Sequence, residues 1–379
     1  MKKKSFFSVS LDLILLDSSL PFDLYVNSSA HTERERFVKI FPQGDILEVV
    51  HLTELKGKYF QLYIPEDQRN KYLKSISLLG NIDDERKTEV IKDSAILYLG
   101  KVFDENHEFT NEILDETIEG CKESVESMIN VIRDYKINEV QSLIGDLSFH
   151  DFYTFDHSVN VAMYSISILK TLKPKATDLE LTVAGLGGLL HDLGKIEIPT
   201  RIINNPGKLS DEDFEIIKTH PGIGDKILHD QCERGECDHA DIDFDIIRRV
   251  VHEHHENYNG TGYPNKLKED DIHVYARIVA IADFYDAITT KRSYHEVLST
   301  KEAIELMGKA VGKKIDPKIF EVFVKSIDMV LEGKGSHELP EDFDPCQPQN
   351  DLPYQKVKPK VQRSDFTKKD KKDYGKVKG

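Results

Sequence analysis

Three things are scarce in this sequence, and each scarcity disfavours a class of protein. No uninterrupted apolar run reaches the roughly 18 residues that a membrane-spanning helix requires, so no membrane span is predicted. Cysteine occurs four times in 379 residues, at Cys121, Cys232, Cys237 and Cys346. A chain of that size does not depend on disulfides, and a reducing compartment, the cytoplasm, is the expectation. Positive charge is outnumbered, with 51 Lys and Arg against 67 Asp and Glu and a formal net charge of −16. A general DNA binder is disfavoured, because such a surface repels a polyanion, and a phosphate ligand then needs a concentrated positive pocket. The opening Lys2-Lys3-Lys4 with Phe6-Phe7 and Leu11 to Leu16 imitates a signal peptide, but Asp12 and Asp17 interrupt it, and the stretch is read as a first strand.

The length suggests two domains. Residues 1–80 carry short β-branched and aromatic runs, Leu11 to Leu16, Leu24 to Val26, Phe37 to Phe41 and Tyr59 to Ile64, split by turn-rich pieces; they predict a small α/β module. Residues 81–140 read as a helical linker, with a long amphipathic candidate from Phe109 to Tyr135. Residues 141–332 show helical segments with punctuation at Gly194, Pro206-Gly207, a Pro221-Gly222 turn and Gly260 to Pro264, and predict an all-α domain. Residues 333–379 lose periodicity, gather proline and lysine, and predict a disordered tail. The fold class expected is α+β overall, an all-α bundle preceded by a small α/β domain.

The chemistry concentrates in the all-α part. His191-Asp192 ends the apolar stretch Val183 to Leu190, His157 lies early on one helical segment, and His220 precedes Pro221. His254-His255 closes another helix, and Asp283 is embedded among Ile278 to Ala282. A buried Asp without a cation or donor costs several kcal/mol, roughly. An ordinary salt bridge or a hydrogen-bonded core histidine accounts for any one of these; accounting for all of them together is harder. Imidazoles and an Asp able to bridge two cations form the donor set of a two-metal site, which acidifies a water for in-line attack on phosphorus. No protein nucleophile is needed. Lys195 follows His191 by four and Asp192 by three, so a continuing helix would put its charge on their face, with Gly194 allowing a close turn.

The ordered motifs resemble those of the HD-GYP phosphodiesterases, a family of HD-type helical bundles. They are Tyr153-Thr154 with His157-Ser158, His191-Asp192-Leu193-Gly194-Lys195, Asn205-Pro206-Gly207-Lys208-Leu209, His220-Pro221, His254-His255-Glu256 leading to Gly260-Thr261-Gly262-Tyr263-Pro264, and Arg277 to Asp283 running to Arg292-Ser293-Tyr294. The resemblance implies hydrolysis of a cyclic dinucleotide, cyclic di-GMP to linear pGpG or onward to GMP. It implies metal ligation by His157, His191, Asp192, His220, His254, His255 and Asp283, with Asp192 the bridge. It puts Lys195 at the scissile phosphate and Gly262, Tyr263, Arg292 and His295 at the substrate. Iron or manganese is the implied metal, and cyclase-domain proteins at the Gly-Tyr-Pro loop are the implied partners; the helix from Phe109 to Tyr135 is a candidate homodimer seam but lacks sustained heptads, and the oligomeric state stays open.

The match has departures. Tyr153 stands where some members have a Glu that supports a third metal, so two divalent metals are expected. Asn259 replaces the usual Asp before the Gly-x-Gly-Tyr-Pro loop, and His295 a frequent lysine. The long segment after His220 holds Cys232, Cys237 and His239, one ligand short of a usual zinc site, and reads as a solvated acidic loop. Two alternatives stay open: a cyclic-dinucleotide-binding effector that hydrolyses slowly or not at all, and the same chemistry on cyclic GMP-AMP.

Overall fold

The computed structural model describes residues 5–28, 36–77, 79–80, 82–104, 109–147, 153–203, 205, 209–233, 242–290 and 298–327. Two compact units divide between Asp93 and Ser94.

In the first unit, β1 (Phe6–Val9), β2 (Leu24–Asn27), β3 (Phe37–Phe41) and β4 (Leu62–Pro65) form an antiparallel sheet in the order β1-β4-β2-β3. Helices α1 (Val49–Lys58) and α2 (Arg69–Ser77) complete it. The period-two pattern decides which side is covered: Phe7, Val9, Leu24, Val26, Leu62 and Ile64 are buried. On α2, Tyr72 sets its ring 5.5 Å from that of Phe7. The first strand corrects the expectation from Leu11 to Leu16. It lies earlier, in Phe6–Val9, and Leu11–Leu13 is a 3-10 turn whose Asp12 N–H is accepted by Ser10 Oγ. A cap of that kind competes with extended pairing.

Helix α3 (Asp84–Val102) contains the boundary between the units. The second unit then runs through α4 (Asn111–Ile132), α5 (Ile137–Leu147), α6 (Tyr153–Leu172), α7 (Asp178–Leu190), α8 (Thr200–Ile203), α9 (Asp211–Ile217) and α10 (His220–Glu233). It continues with α11 (Phe244–Glu253), α12 (Val274–Thr289), α13 (Thr300–Gly308) and α14 (Pro317–Lys325). Among the described residues it has no strand, only isolated bridges such as Asn259 with Lys268. The stretch read as a linker is helical, and from Ser94 on it belongs to this unit: α4 buries Ile118, Val125, Ile129 and Ile132 and packs on α7 and α6.

Helix α7 is the axis of the unit. A reciprocal Thr177–Glu180 capping box sets its start. Every residue from Leu181 to Leu190 is buried, the mark of a helix enclosed on all sides, and α4, α6, α11 and α12 pack around it. Each large aliphatic chain so buried contributes about 1.5–3 kcal/mol, which fixes where the polar residues at the helix end must sit. Pro221-Gly222 is not a turn: α10 begins at His220, and the proline takes the first helical turn, where its missing N–H is not required. No helix among the described residues is long and apolar enough to cross a membrane.

Candidate metal centre

Five helices deliver donors to one place. His157 comes from the start of α6, His191 and Asp192 from the C-terminal end of α7, and His220 from the first residue of α10. His254 and His255 follow α11, and Asp283 lies within α12. Asp192, His220, His254 and His255 form one group of converging donor atoms and His157, His191 and Asp192 another, so Asp192 belongs to both. Asp192 Oδ2 lies 3.3 Å from His191 Nε2, and its Oδ1 lies 3.3 Å from His220 Nε2 and 4.0 Å from His254 Nε2. Asp283 joins beside His157, with Oδ1 3.2 Å from Nε2.

The hydrogen bonds on the far side of the rings fix their protonation. His191 Nδ1 lies 2.7 Å from Gly188 O, His220 Nδ1 2.8 Å from Ile217 O, and His254 Nδ1 2.8 Å from Val251 O. A carbonyl oxygen only accepts, so each Nδ1 carries a proton and each Nε2 is turned inward. The Nε2 atoms of His220 and His254 then face each other at 3.2 Å. His254 is held neutral, so this contact is satisfied either by a proton on His220 Nε2 or by a cation beside the two rings. Asp192 Oδ1 is likewise buried without a hydrogen bond. These features fit a divalent cation held by imidazole and carboxylate donors.

The electrostatics agree. Burial works against charge on Asp192, but His191, Lys195 and His220 hold its carboxyl well below the usual range. Asp283 is held down in the same way, burial being outweighed by His157. His254 and His255 are kept neutral first by burial and then by neighbouring imidazoles. Burial opposes charge on His157 too, yet Asp283 and Asp286 push it up to about 10. The proton it shares with Asp283 is the one metal binding displaces.

Lys195 reaches the cluster by a different route from the one expected. The helix stops at Leu190, and a 3-10 turn, Leu193–Glu197, carries Lys195 back so that Nζ donates to Asp192 Oδ2 at 2.7 Å. Gly194 serves packing rather than a turn. A Cβ there would collide with the His220 carbonyl and fall 2.6 Å from Gly224 N, so the start of α10, and His220 with it, depends on the missing side chain.

The Gly-Tyr-Pro loop is tied down from several sides. Glu256 accepts from Asn265 N at 2.6 Å and Leu267 N at 3.1 Å, and Asn259 N donates to Lys313 O at 2.8 Å. Asn259 Oδ1 accepts from Thr261 N and Thr261 Oγ1 at 3.1 and 2.7 Å. That is the local turn bond an Asp would make, so Asn in place of Asp leaves the turn intact. A Cβ on Gly262 would strike the Asn257 amide and fall 2.6 Å from Glu256 Cα. Tyr263 follows in a cis peptide bond with Pro264, its ring 4.9 Å from that of His255.

All seven donor candidates, Lys195, Gly262 and Tyr263 are thus gathered around one centre. Arg292 and His295 lie outside the described residues, as do Cys237, His239, Cys346, Pro206 to Lys208 and the lysine-rich tail. Cys232 is disulfide-bonded and does not offer a metal ligand. Asp286, with Ala287 part of the motif between Asp283 and Arg292, was given no role by sequence reasoning; it meets His157 Nδ1 at 2.7 Å. Its spacing of three from Asp283, on the same helical face, is the signal that could have found it.

Residues 142–319 match a family model described as HD domain. The chain is 37% identical over 196 residues to the cyclic di-GMP phosphodiesterase PA4108 of Pseudomonas aeruginosa, covering 52% of this chain and 44% of that protein. It is 29% identical over 289 residues to a cyclic di-GMP phosphodiesterase of Thermotoga maritima, covering 76% and 64%. The chain therefore spans less than two thirds of the length of either relative. Among solved structures, Bd1817, a HDG"Y"P protein from Bdellovibrio bacteriovorus, aligns with a TM-score of 0.51 at 22% identity, over 85% of this chain and 99% of that one. That likeness is one of fold, and it agrees with the resemblance carried by the motifs.

Proposed function

Because residues 142–319 are an HD domain, we propose that this chain is a metal-dependent phosphodiesterase that opens a cyclic dinucleotide, cyclic di-GMP in the first place, to the linear form. The observation that carries the reading is the pair of inward-facing Nε2 atoms of His220 and His254 at 3.2 Å beside the unbonded Asp192 Oδ1. A divalent cation would engage these three atoms together. Relatives named as cyclic di-GMP phosphodiesterases supply the substrate class.

Two divalent ions, iron or manganese, would be held by His157, His191, Asp192 and Asp283 on one side and by Asp192, His220, His254 and His255 on the other. When bound they supply Lewis-acid stabilisation of the phosphate and a water of lowered pKa. The chain's own residues do the rest. Lys195 brings a fixed positive charge to the edge of Asp192, where a phosphate oxygen needs it. Tyr263, on a loop held by Glu256 and Asn257, offers an aromatic face next to His255. Arg292 and His295 complete the substrate contacts in this proposal, and Arg292 has the fork suited to phosphate or guanine. The sheet unit is a regulatory module, and the Gly-Tyr-Pro loop is the place for a cyclase-domain partner.

The test is metal analysis of anaerobically purified protein together with chromatography of cyclic di-GMP and cyclic GMP-AMP, each incubated with wild type and with His191→Ala/Asp192→Ala. About two metals per chain, and linear dinucleotide from wild type alone, support the proposal; the faster substrate identifies the ligand. Bound metal with both substrates intact would replace it with the binding-effector reading.

A further inference from the structure

Four histidines of the centre have an Nδ1 contact, and they are not held alike. His191, His220 and His254 each direct Nδ1 at a carbonyl three residues back in their own chain segment. His157 directs Nδ1 at a carboxylate from another helix, Asp286 Oδ2, at 2.7 Å. Asp286 is only 1% exposed, and its other oxygen accepts from Asn160 Nδ2 at 2.9 Å and Thr290 Oγ1 at 2.7 Å. It is therefore fixed in place as an ionised acceptor. A carboxylate behind an imidazole fixes the tautomer and makes the inward nitrogen a stronger donor than a neutral carbonyl does.

The carboxylates are unevenly shared as well. The side with His157 and His191 has Asp192 and Asp283, with Asp286 directly behind. Among the described residues, the donor group with His220, His254 and His255 has only the shared Asp192 as a carboxylate. Lys314, buried with Nζ 4.7 Å over the Phe284 ring, adds positive charge felt at His255. Three carboxylates thus stand at or behind the His157 side, where Lys195 Nζ offsets part of their charge 2.7 Å from Asp192 Oδ2, against the one shared carboxylate on the other side.

We propose that the two metal positions are inequivalent: the His157, His191, Asp192 and Asp283 position binds its ion first and more tightly, and Asp286, which touches no ion, is the positioning residue responsible. This rests on the metal centre of the proposed function. Neither the family model nor the relatives distinguish the two positions or assign a role to Asp286.

The experiment is equilibrium dialysis and calorimetric titration of the metal-stripped full chain with Mn²⁺. Two steps separated by about tenfold or more are expected, and Asp286→Asn should weaken the tight step by roughly 10- to 100-fold while the weak step stays nearly unchanged. Thr290→Val, which leaves the His157 and Asn160 bonds to Asp286 in place, should move neither step by more than about threefold. His157→Ala should remove the tight step and His254→Ala the weak one, which assigns the positions even if Asp286→Asn does not fold. Equal affinities, a tight step lost in His254→Ala, or a folded Asp286→Asn chain that binds as wild type would overturn the inference. Those results would leave the phosphodiesterase reading standing if wild type still cleaves cyclic di-GMP. Absence of any Mn²⁺ binding would overturn both.

Discussion

Lys195 Nζ donates to Asp192 Oδ2 at 2.7 Å while the other oxygen of Asp192 faces His220 Nε2. One carboxylate thus meets Lys195 and His191 through one oxygen and His220 through the other. Replacing the lysine removes the charge offered to substrate without removing a metal ligand. Lys195→Met is expected to lower kcat by roughly 10²- to 10³-fold, in the range of a lost transition-state donor, with metal content unchanged by elemental analysis. Loss of metal together with activity would mean that Lys195 acts only through Asp192.

Chelation should destabilise the second unit. Cations bound to the folded chain would engage the inward-facing imidazoles and Asp192 Oδ1, which has no hydrogen bond, so ligand linkage adds about 2.7 kcal/mol at a free metal concentration a hundredfold above Kd. Thermal unfolding with and without a chelator is expected to show a clear drop in Tm that added Mn²⁺ reverses. An unchanged Tm would argue that the cluster is satisfied by protons alone.

Gly194→Ala tests the route by which His220 is positioned. The new methyl group would collide with the His220 carbonyl and press on Gly224 N. Neither is a flexible side-chain end, so a cost of about 1–3 kcal/mol is expected, as for overpacking elsewhere, along with reduced metal binding. Urea unfolding measures the first and dialysis the second.

Glu256 holds the Gly-Tyr-Pro loop through two backbone amides, Asn265 N and Leu267 N. Removing it leaves those amides unmatched at a cost of about 1–3 kcal/mol. Glu256→Ala should therefore raise KM for the dinucleotide more than it lowers kcat, with both metals retained. A pure kcat effect would place Glu256 in the chemistry instead.

Asp23 in the sheet unit predicts a pH effect far from the metal centre. Burial alone would raise its pKa, but Lys39 Nζ at 2.7 Å and Gln43 N at 2.9 Å outweigh that and hold it below the ordinary carboxylate value. A carboxyl depressed in the folded state contributes stability that is present above the unfolded pKa of about 3.9 and is lost as pH falls through the folded value. Asp23→Asn should lower the stability of this unit at neutral pH and make little difference near pH 2. Equal destabilisation at both would assign the effect to packing.

Much of the centre was legible before any coordinates. His157, His191, Asp192, His220, His254, His255 and Asp283 stand out because polar groups at the ends of, or inside, apolar helical segments are costly unless something binds them. The bundle was legible for the same reason: continuous apolar stretches such as Val183 to Leu190 have to be enclosed. Local competition was harder to read. The Ser10 cap turned Leu11–Leu13 into a 3-10 turn and left the strand to Phe6–Val9, and Pro221 opened a helix where a turn was expected.

The sequence alone determined which residues could ligate metal, because residue type and burial cost are local properties. Only the tertiary structure decided how they are coupled. The contact between Asp286 and His157 spans 129 positions in the chain, and the Asp192–Lys195 pair depends on a 3-10 turn replacing a continuing helix. Hydrogen-bond direction, tautomer and the sharing of one carboxylate between two groups depend on distances of a few tenths of an ångström, and those are set by how helices from distant parts of the chain pack.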